Sequence, residues 1–212
     1  MTELFGAEYS VYVRSARLAL AEKGVAYTLV PVDVFAPGGL PQEHLKRHPF
    51  GKIPGFRHND FSLYETTAIL RYVDEAFEGP SLQPETPQAR ARMSQILSIL
   101  DTYAYRTLVW DIFVERVAKT RDGSVADEAR IASALPQAKT IVRALEDLTE
   151  RGPFLLGEHL TLADCHAAPM LNLFQMSREG ARLMEDSPSL LNWLQTFRSR
   201  KSFQSTEPKE KD

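Results

Sequence analysis

Three short segments in the first third of the chain carry side chains suited to holding a small, peptide-like ligand. They are Ser10-Val-Tyr-Val-Arg-Ser-Ala-Arg17, Pro49-Phe-Gly-Lys-Ile-Pro54 and Leu63-Tyr-Glu-Thr-Thr-Ala-Ile69. Ser10 puts a hydroxyl between a first strand and a first helix, where it can cap the helix or donate a hydrogen bond to a bound anion. Pro54 stands before a strand, where a proline is tolerated because it lacks an N–H. Glu65 and Thr66 offer a carboxylate and a hydroxyl at the start of a helix. Each residue also has an ordinary structural use as a loop cap, a strand-opening proline or a solvent-facing glutamate. Their order along one chain points to a pocket.

The elements that must position them follow from periodicity and breakers. Strands are predicted over 4–7, 27–32, 54–56 and 61–64, the last two joined by the Arg57-His-Asn-Asp60 turn. Helices are predicted over 14–23, stopped by Gly24, over a short patch at 43–47, and from Thr66 or Thr67 as cap through Ile69, Leu70, Val73 and Phe77. The order βαβαββα predicts a small mixed sheet covered by helices, an α/β domain over 1–78. A Pro- and Gly-rich linker spans 79–87, and everything beyond favours helix, giving an all-α domain over 88–204. One long helix is predicted over 89–119 and another over 125–149, kinked or divided at Pro136. Thr161 and Asp164 have the spacing of a capping box before a helix over 165–176, and a last helix follows Pro188. The polar tail, 205–212, is expected to be mobile.

Composition narrows the function. The 212 residues hold 25 Lys and Arg against 28 Asp and Glu, a net charge of -3, which gives no reason to expect nucleic-acid binding. Cys165 is the only cysteine, so no intrachain disulfide is possible, and a reducing, cytoplasmic setting is expected. It falls within a predicted helix and reads as core. No apolar run approaches the roughly 20 residues that span a bilayer, and the N-terminus lacks a secretory pattern, so no membrane partner is expected.

Gly51-Lys-Ile-Pro54, Leu63-Tyr-Glu-Thr66 and Thr161-Leu-Ala-Asp164 occur in an order that resembles the cytosolic glutathione S-transferases over about residues 3 to 200. Ser10 through Arg17 is similar to the first motif of serine-type members, found in the phi, theta and many bacterial branches. The resemblance implies a thioredoxin-like N-terminal domain, a helical C-terminal domain, glutathione as co-substrate, no metal, a homodimer and a role in detoxification. It implies that Ser10 donates a hydrogen bond to the glutathione sulfur, with Tyr9 and Tyr12 as alternative donors. Ile53, beside a cis Pro54, would pair with the cysteinyl backbone, and Lys52 would approach the glycine carboxylate. Glu65 and Thr66 would hold the γ-glutamyl end. Where phi-like loops supply a histidine and a lysine, this chain has Gly39 and Leu40, and His44 is the candidate substitute. Val11, Tyr12, Tyr105, Arg106 and Trp110 are candidates for the electrophile site, one wall of which the helical domain supplies. Phe50 is a candidate dimer contact, and Thr161 and Asp164 are structural caps. The implied reaction is thiolate attack on a small, mostly apolar electrophile. The alternatives are a glutathione-dependent peroxidase and a non-catalytic ligand-binding or interaction protein.

Overall fold

The computed structural model describes residues 1–208. They form two compact units: Met1–Leu82 joined by the segment from Arg200 onward, and Gln83–Ser199. In the first, β1 (Thr2–Gly6), α1 (Val11–Glu22), β2 (Thr28–Pro31), α2 (Gln42–Arg47), β3 (Gly55–His58), β4 (Phe61–Tyr64) and α3 (Thr66–Ala76) follow the expected order. The sheet runs β2-β1-β3-β4, with β1 and β2 parallel and the other neighbours antiparallel. Parallel pairing of β1 with β2 needs the α1 crossover, whereas β3 and β4 need only the Asn59-Asp60 turn, with Asn59 at φ 54°.

Register divides the sheet into two faces. Leu4 pairs with Phe56 in the buried core, and α1 packs against α3. Phe5, Gly55 and Tyr64 align in one row on the opposite face, which α2 covers: Arg47 lies 4.4 Å above the Phe5 ring and His48 stacks 4.9 Å from Tyr64. Gly6 lets α1 approach β1, since a Cβ there would meet Val13 Cγ2 at 2.4 Å.

The expected mobile tail is corrected at its start. Lys201–Ser205 forms a short helix, α10, on α1. Arg14 donates to the Phe203 carbonyl (3.0 Å) and Arg17 to that of Thr206 (3.2 Å), so two buried guanidinium groups satisfy the end of the helix. Glu22 receives Arg200 and Ser202 on the same face. The chain from Arg200 therefore belongs with the first unit, not with the helical domain, and residues 209–212 of the expected tail lie outside the described residues.

The second unit contains α4 (Pro87–Ile99), a π-helical stretch π1 (Leu100–Ala118), α5 (Lys119–Arg121), α6 (Glu128–Leu148), α7 (Leu162–Gln175), α8 (Arg178–Glu185) and α9 (Pro188–Arg198). The long helix expected over 89–119 thus changes register at Leu100. In a π-helix the neighbours lie five residues apart, and Tyr105 meets Trp110, Arg106 meets Asp111, and Lys119 N–H bonds the Val114 carbonyl. Helix α6 runs through Pro136 undivided. An ion-pair network joins π1 to α6 and α8: Arg116 holds Glu128 and Glu179, while Arg130 holds Asp111 and Glu115. Burial raises the Glu115 pKa, but Lys119, the Asp127 N–H and Arg130 outweigh it and hold the carboxyl below its ordinary value.

Asp164 anchors the start of α7. Its Oδ2 accepts from Thr161 N and Oγ1, and its Oδ1 from Leu155 N and Trp193 Nε1, all at 2.8 Å. Burial at 0 % exposure still drives its pKa up, against all four donors. Replacing Asp164 by Ala strips the cap and leaves buried N–H groups unmatched, each costing about 1–3 kcal/mol. The variant should lose at least about 3 kcal/mol in denaturant unfolding, and wild-type stability would refute this anchoring role.

Candidate active site

One end of the sheet gathers the three motifs. The row Phe5–Gly55–Tyr64 aligns the exit of β1, the entry of β3 and the exit of β4. Ser10 follows the first, Ile53 and Pro54 precede the second, and Glu65 and Thr66 follow the third. The Ile53 Cβ would lie 3.5 Å from a Cβ on Gly6, so the proline loop packs directly against the β1–α1 junction.

Ser10 is the N-cap of α1, in extended conformation, with its Oγ accepting from Val13 N at 3.3 Å and its carbonyl from Arg14 N at 2.9 Å. As an acceptor the hydroxyl is engaged, whereas as a donor it has no partner among the described residues. No acidic residue stands in the first turn of α1 to offset the positive end of its dipole. A donor and a helix N-terminus thus act at one half-buried point. Of the alternatives, Tyr9 donates its phenol to Asp33 Oδ1 at 2.9 Å and lies 5.8 Å from the Phe35 ring. Asp33 Oδ1 also receives Phe35 N, which fixes that loop. Tyr12 is half-buried in the first turn of α1.

The Ile53–Pro54 peptide is cis. Among the described residues no hydrogen bond engages the Ile53 backbone, so its N–H and C=O form an open edge. Lys52 is exposed and its ammonium has no ion-pair partner among the described residues. Glu65 sits at φ 69°, in the left-handed region that a non-glycine residue rarely occupies. It takes the N-cap position of α3 without giving the helix a side-chain hydrogen bond. The cap expected at Thr66 or Thr67 is therefore corrected by one residue, because Thr66 is already helical. The Glu65 side chain therefore does not occupy the N-terminus of α3, a place that suits an external acceptor, and the buried Thr66 stands beside it.

His44 does not reach outward as a ligand group. It is 1 % exposed, and its Nε2 donates to the Lys52 carbonyl at 2.8 Å. Leu40 instead packs near Gly51, 3.0 Å from where a Cβ there would stand. Phe50 is 69 % exposed, its ring edge-on to Tyr64 and near His48. Among the electrophile-site candidates, Val11 is buried at 5 % exposure and offers almost no surface. Arg106 is paired with Asp111 at 3.1 Å, so its charge is already answered. Tyr105 receives a hydrogen bond from Trp110, and burial raises its pKa above the ordinary phenol value. Among the described residues no group of three or more His, Cys, Asp and Glu could hold a metal, and no helix is long and apolar enough to cross a membrane.

Residues 4–81 match the family model for the glutathione S-transferase N-terminal domain, and residues 83–196 match that for the C-terminal domain. The chain belongs to the glutathione S-transferase family, whose co-substrate is glutathione. It is 27 % identical over 208 residues to glutathione S-transferase F13 of Arabidopsis thaliana, covering 97 % of this chain and 94 % of that one. It is 30 % identical over 168 residues to a stringent starvation protein A homolog of Haemophilus influenzae, covering 79 % of this chain and 72 % of the relative. The structure of glutathione S-transferase III in apo form superposes with a TM-score of 0.85 at 27 % identity, over 100 % of this chain and 99 % of that one.

His48, which motif reading passed over, is 2 % exposed beside the site. Burial lowers its pKa, with His44 and Lys52 adding to the effect and Glu65 opposing it. A folded pKa below the unfolded value of about 6.5 gives stability that is complete above that pH and is lost as pH falls through the folded pKa. From about pH 7.5 to about pH 5, the wild type should therefore lose more unfolding free energy than His48→Asn. Parallel losses in the two proteins would refute the assignment.

Proposed function

We propose that the chain is a glutathione transferase that stabilises the glutathione thiolate for attack on a small, mostly apolar electrophile. The observation that carries this reading is the Ser10 hydroxyl, seated at the N-terminus of α1 with its proton uncommitted among the described residues. A free thiol has a pKa of about 8.5, and the thiolate is the nucleophile. Lowering that value by about two units requires roughly 2.7 kcal/mol of preferential thiolate stabilisation. One charge-assisted hydrogen bond and a helix N-terminus are of the right size to provide it. A neutral serine is a poor base, so the role of Ser10 is electrostatic, and the thiol proton leaves to solvent.

The rest of the tripeptide follows from the open groups. The Ile53 N–H and C=O pair with the cysteinyl backbone, as an added strand would. Thr66, at the N-terminus of α3, receives the γ-glutamyl carboxylate, and Glu65 its ammonium. Lys52 faces the glycine carboxylate without the help of a histidine–lysine pair, because Gly39 and Leu40 stand in that loop. With Tyr9 engaged by Asp33, Ser10 is the preferred sulfur donor. Peroxide reduction would draw on the same thiolate. The likeness to a stringent starvation protein A homolog favours a second reading, an interaction protein on the same fold. The Ser10 test separates it from catalysis.

In Ser10→Ala, kcat/KM for glutathione conjugation should fall about 100-fold, equivalent to about 2.7 kcal/mol of transition-state stabilisation, while the glutathione Kd moves less than about threefold. An unchanged kcat/KM would remove Ser10 from the chemistry, and wild-type protein with no turnover of any electrophile or peroxide would favour the interaction protein.

A twofold homodimer belongs to the same proposal. Phe50 is an exposed aromatic of the kind that anchors interfaces. Phe50→Ala should weaken dimerisation about 100-fold or more in sedimentation equilibrium, and an equally tight dimer would place the interface elsewhere.

A further inference from the structure

The segment proposed to pair with glutathione, Lys52 to Gly55, is held from beneath by a buried histidine. The His44 ring bonds the Lys52 carbonyl at one end of that segment through Nε2, at 2.8 Å. At the other end its Cε1 lies 3.9 Å from where a Cβ on Gly55 would stand. A carbonyl only accepts, so Nε2 carries the proton. The Nδ1 atom is buried and has no partner among the described residues, and the same is true of Nδ1 of His48, one turn along α2 with its ring 6.3 Å away. The ring therefore acts as a buried strut that donates from Nε2 to the carbonyl. It fixes the carbonyl immediately before Ile53, whose own N–H and C=O are otherwise unheld among the described residues.

We propose that His44 is a positioning residue for glutathione, its hydrogen bond to the Lys52 carbonyl presetting the Ile53 backbone edge so that the tripeptide meets it already ordered. An edge that must be ordered at the moment of binding weakens affinity, so the strut acts through preorganisation. This inference rests on the reading that the Ile53 edge takes glutathione.

The test compares the full-length protein with His44→Leu, which fills the space but cannot donate, and His44→Gln, whose amide N–H can reach the same carbonyl. Isothermal titration with glutathione gives Kd, and amide hydrogen exchange of peptides covering residues 51–55 in ligand-free protein reads the loop itself. The expected result is a Kd about tenfold higher in His44→Leu and within about threefold of wild type in His44→Gln, with faster exchange over 51–55 only in the leucine variant. A role in packing alone predicts no rescue by glutamine. Equal Kd in all three proteins, or a glutamine variant as impaired as the leucine one, overturns the proposal. Should wild type bind no glutathione, the proposed function falls, and exchange decides whether His44 holds the loop. Protection lost in leucine and kept in glutamine upholds the strut, and equal exchange in all three overturns it.

Discussion

The row Phe5–Gly55–Tyr64 is the constraint on which the site depends. A side-chain period of two and a fixed ladder register leave no freedom in where a strand ends relative to its neighbours. Once Phe5 is opposite Gly55 and Gly55 opposite Tyr64, the loops beyond them must emerge at one end of the sheet. Those loops carry Ser10, Ile53 and Glu65. A slip of one residue would turn Leu4 and Phe56 out of the core, so burial of that pair enforces the register. The site is thus a consequence of core packing, and its residues need little interaction with one another to be brought together.

What the sheet end presents is a set of backbone and side-chain groups left unsatisfied by folding. Among the described residues donors dominate: the Ser10 hydroxyl, the Lys52 ammonium and the Ile53 N–H. Unmet polar groups are costly where water cannot reach them, and native structures keep few. Their concentration at one place suits a ligand that is zwitterionic at one end, anionic at the other and peptide-like between. Elsewhere the opposite rule holds. Asp164 receives four hydrogen bonds, Glu115 is met by Lys119, Arg130 and the Asp127 N–H, and Lys23 is buried against Asp74 with the Pro80 carbonyl as a further acceptor.

The sequence made the family-like part of this architecture legible because its signals are local. Pro54, the β3–β4 turn and the Thr161–Asp164 cap each depend on residues within a few positions, although the turn expected over Arg57-His-Asn-Asp60 narrows to Asn59-Asp60 because Arg57 and His58 pair with Ser62 and Phe61. Three features were hidden. The helix start at Thr66 looked like a hydroxyl cap, but the left-handed backbone at Glu65 moves the cap back by one residue, and nothing in a Tyr-Glu-Thr string signals that φ. The π-register of π1 is invisible to a search for 3.6-residue spacing, although Leu100, Ala104, Leu108 and Ile112, all at 0 % exposure, recur at every fourth residue. Helix α10 is short and polar, and what orders it is distant: Arg14 and Arg17 lie nearly the whole chain away. By residue type and loop position alone, His44 is a candidate ligand group. Its burial beneath Gly55 and its bond to Lys52 depend on how α2 settles on the sheet.

A thiolate site at this sheet end must lower the pKa of a bound thiol. The most direct measurement is a pH titration of protein-bound glutathione by thiolate absorbance, in wild type and in Ser10→Ala. The expected result is a bound-thiol pKa well below the free value of about 8.5, rising toward it when the hydroxyl is removed. Glutathione that binds with an unshifted pKa would rule out thiolate stabilisation at this site, and a lowered pKa that the substitution leaves unchanged would rule out Ser10 as its source.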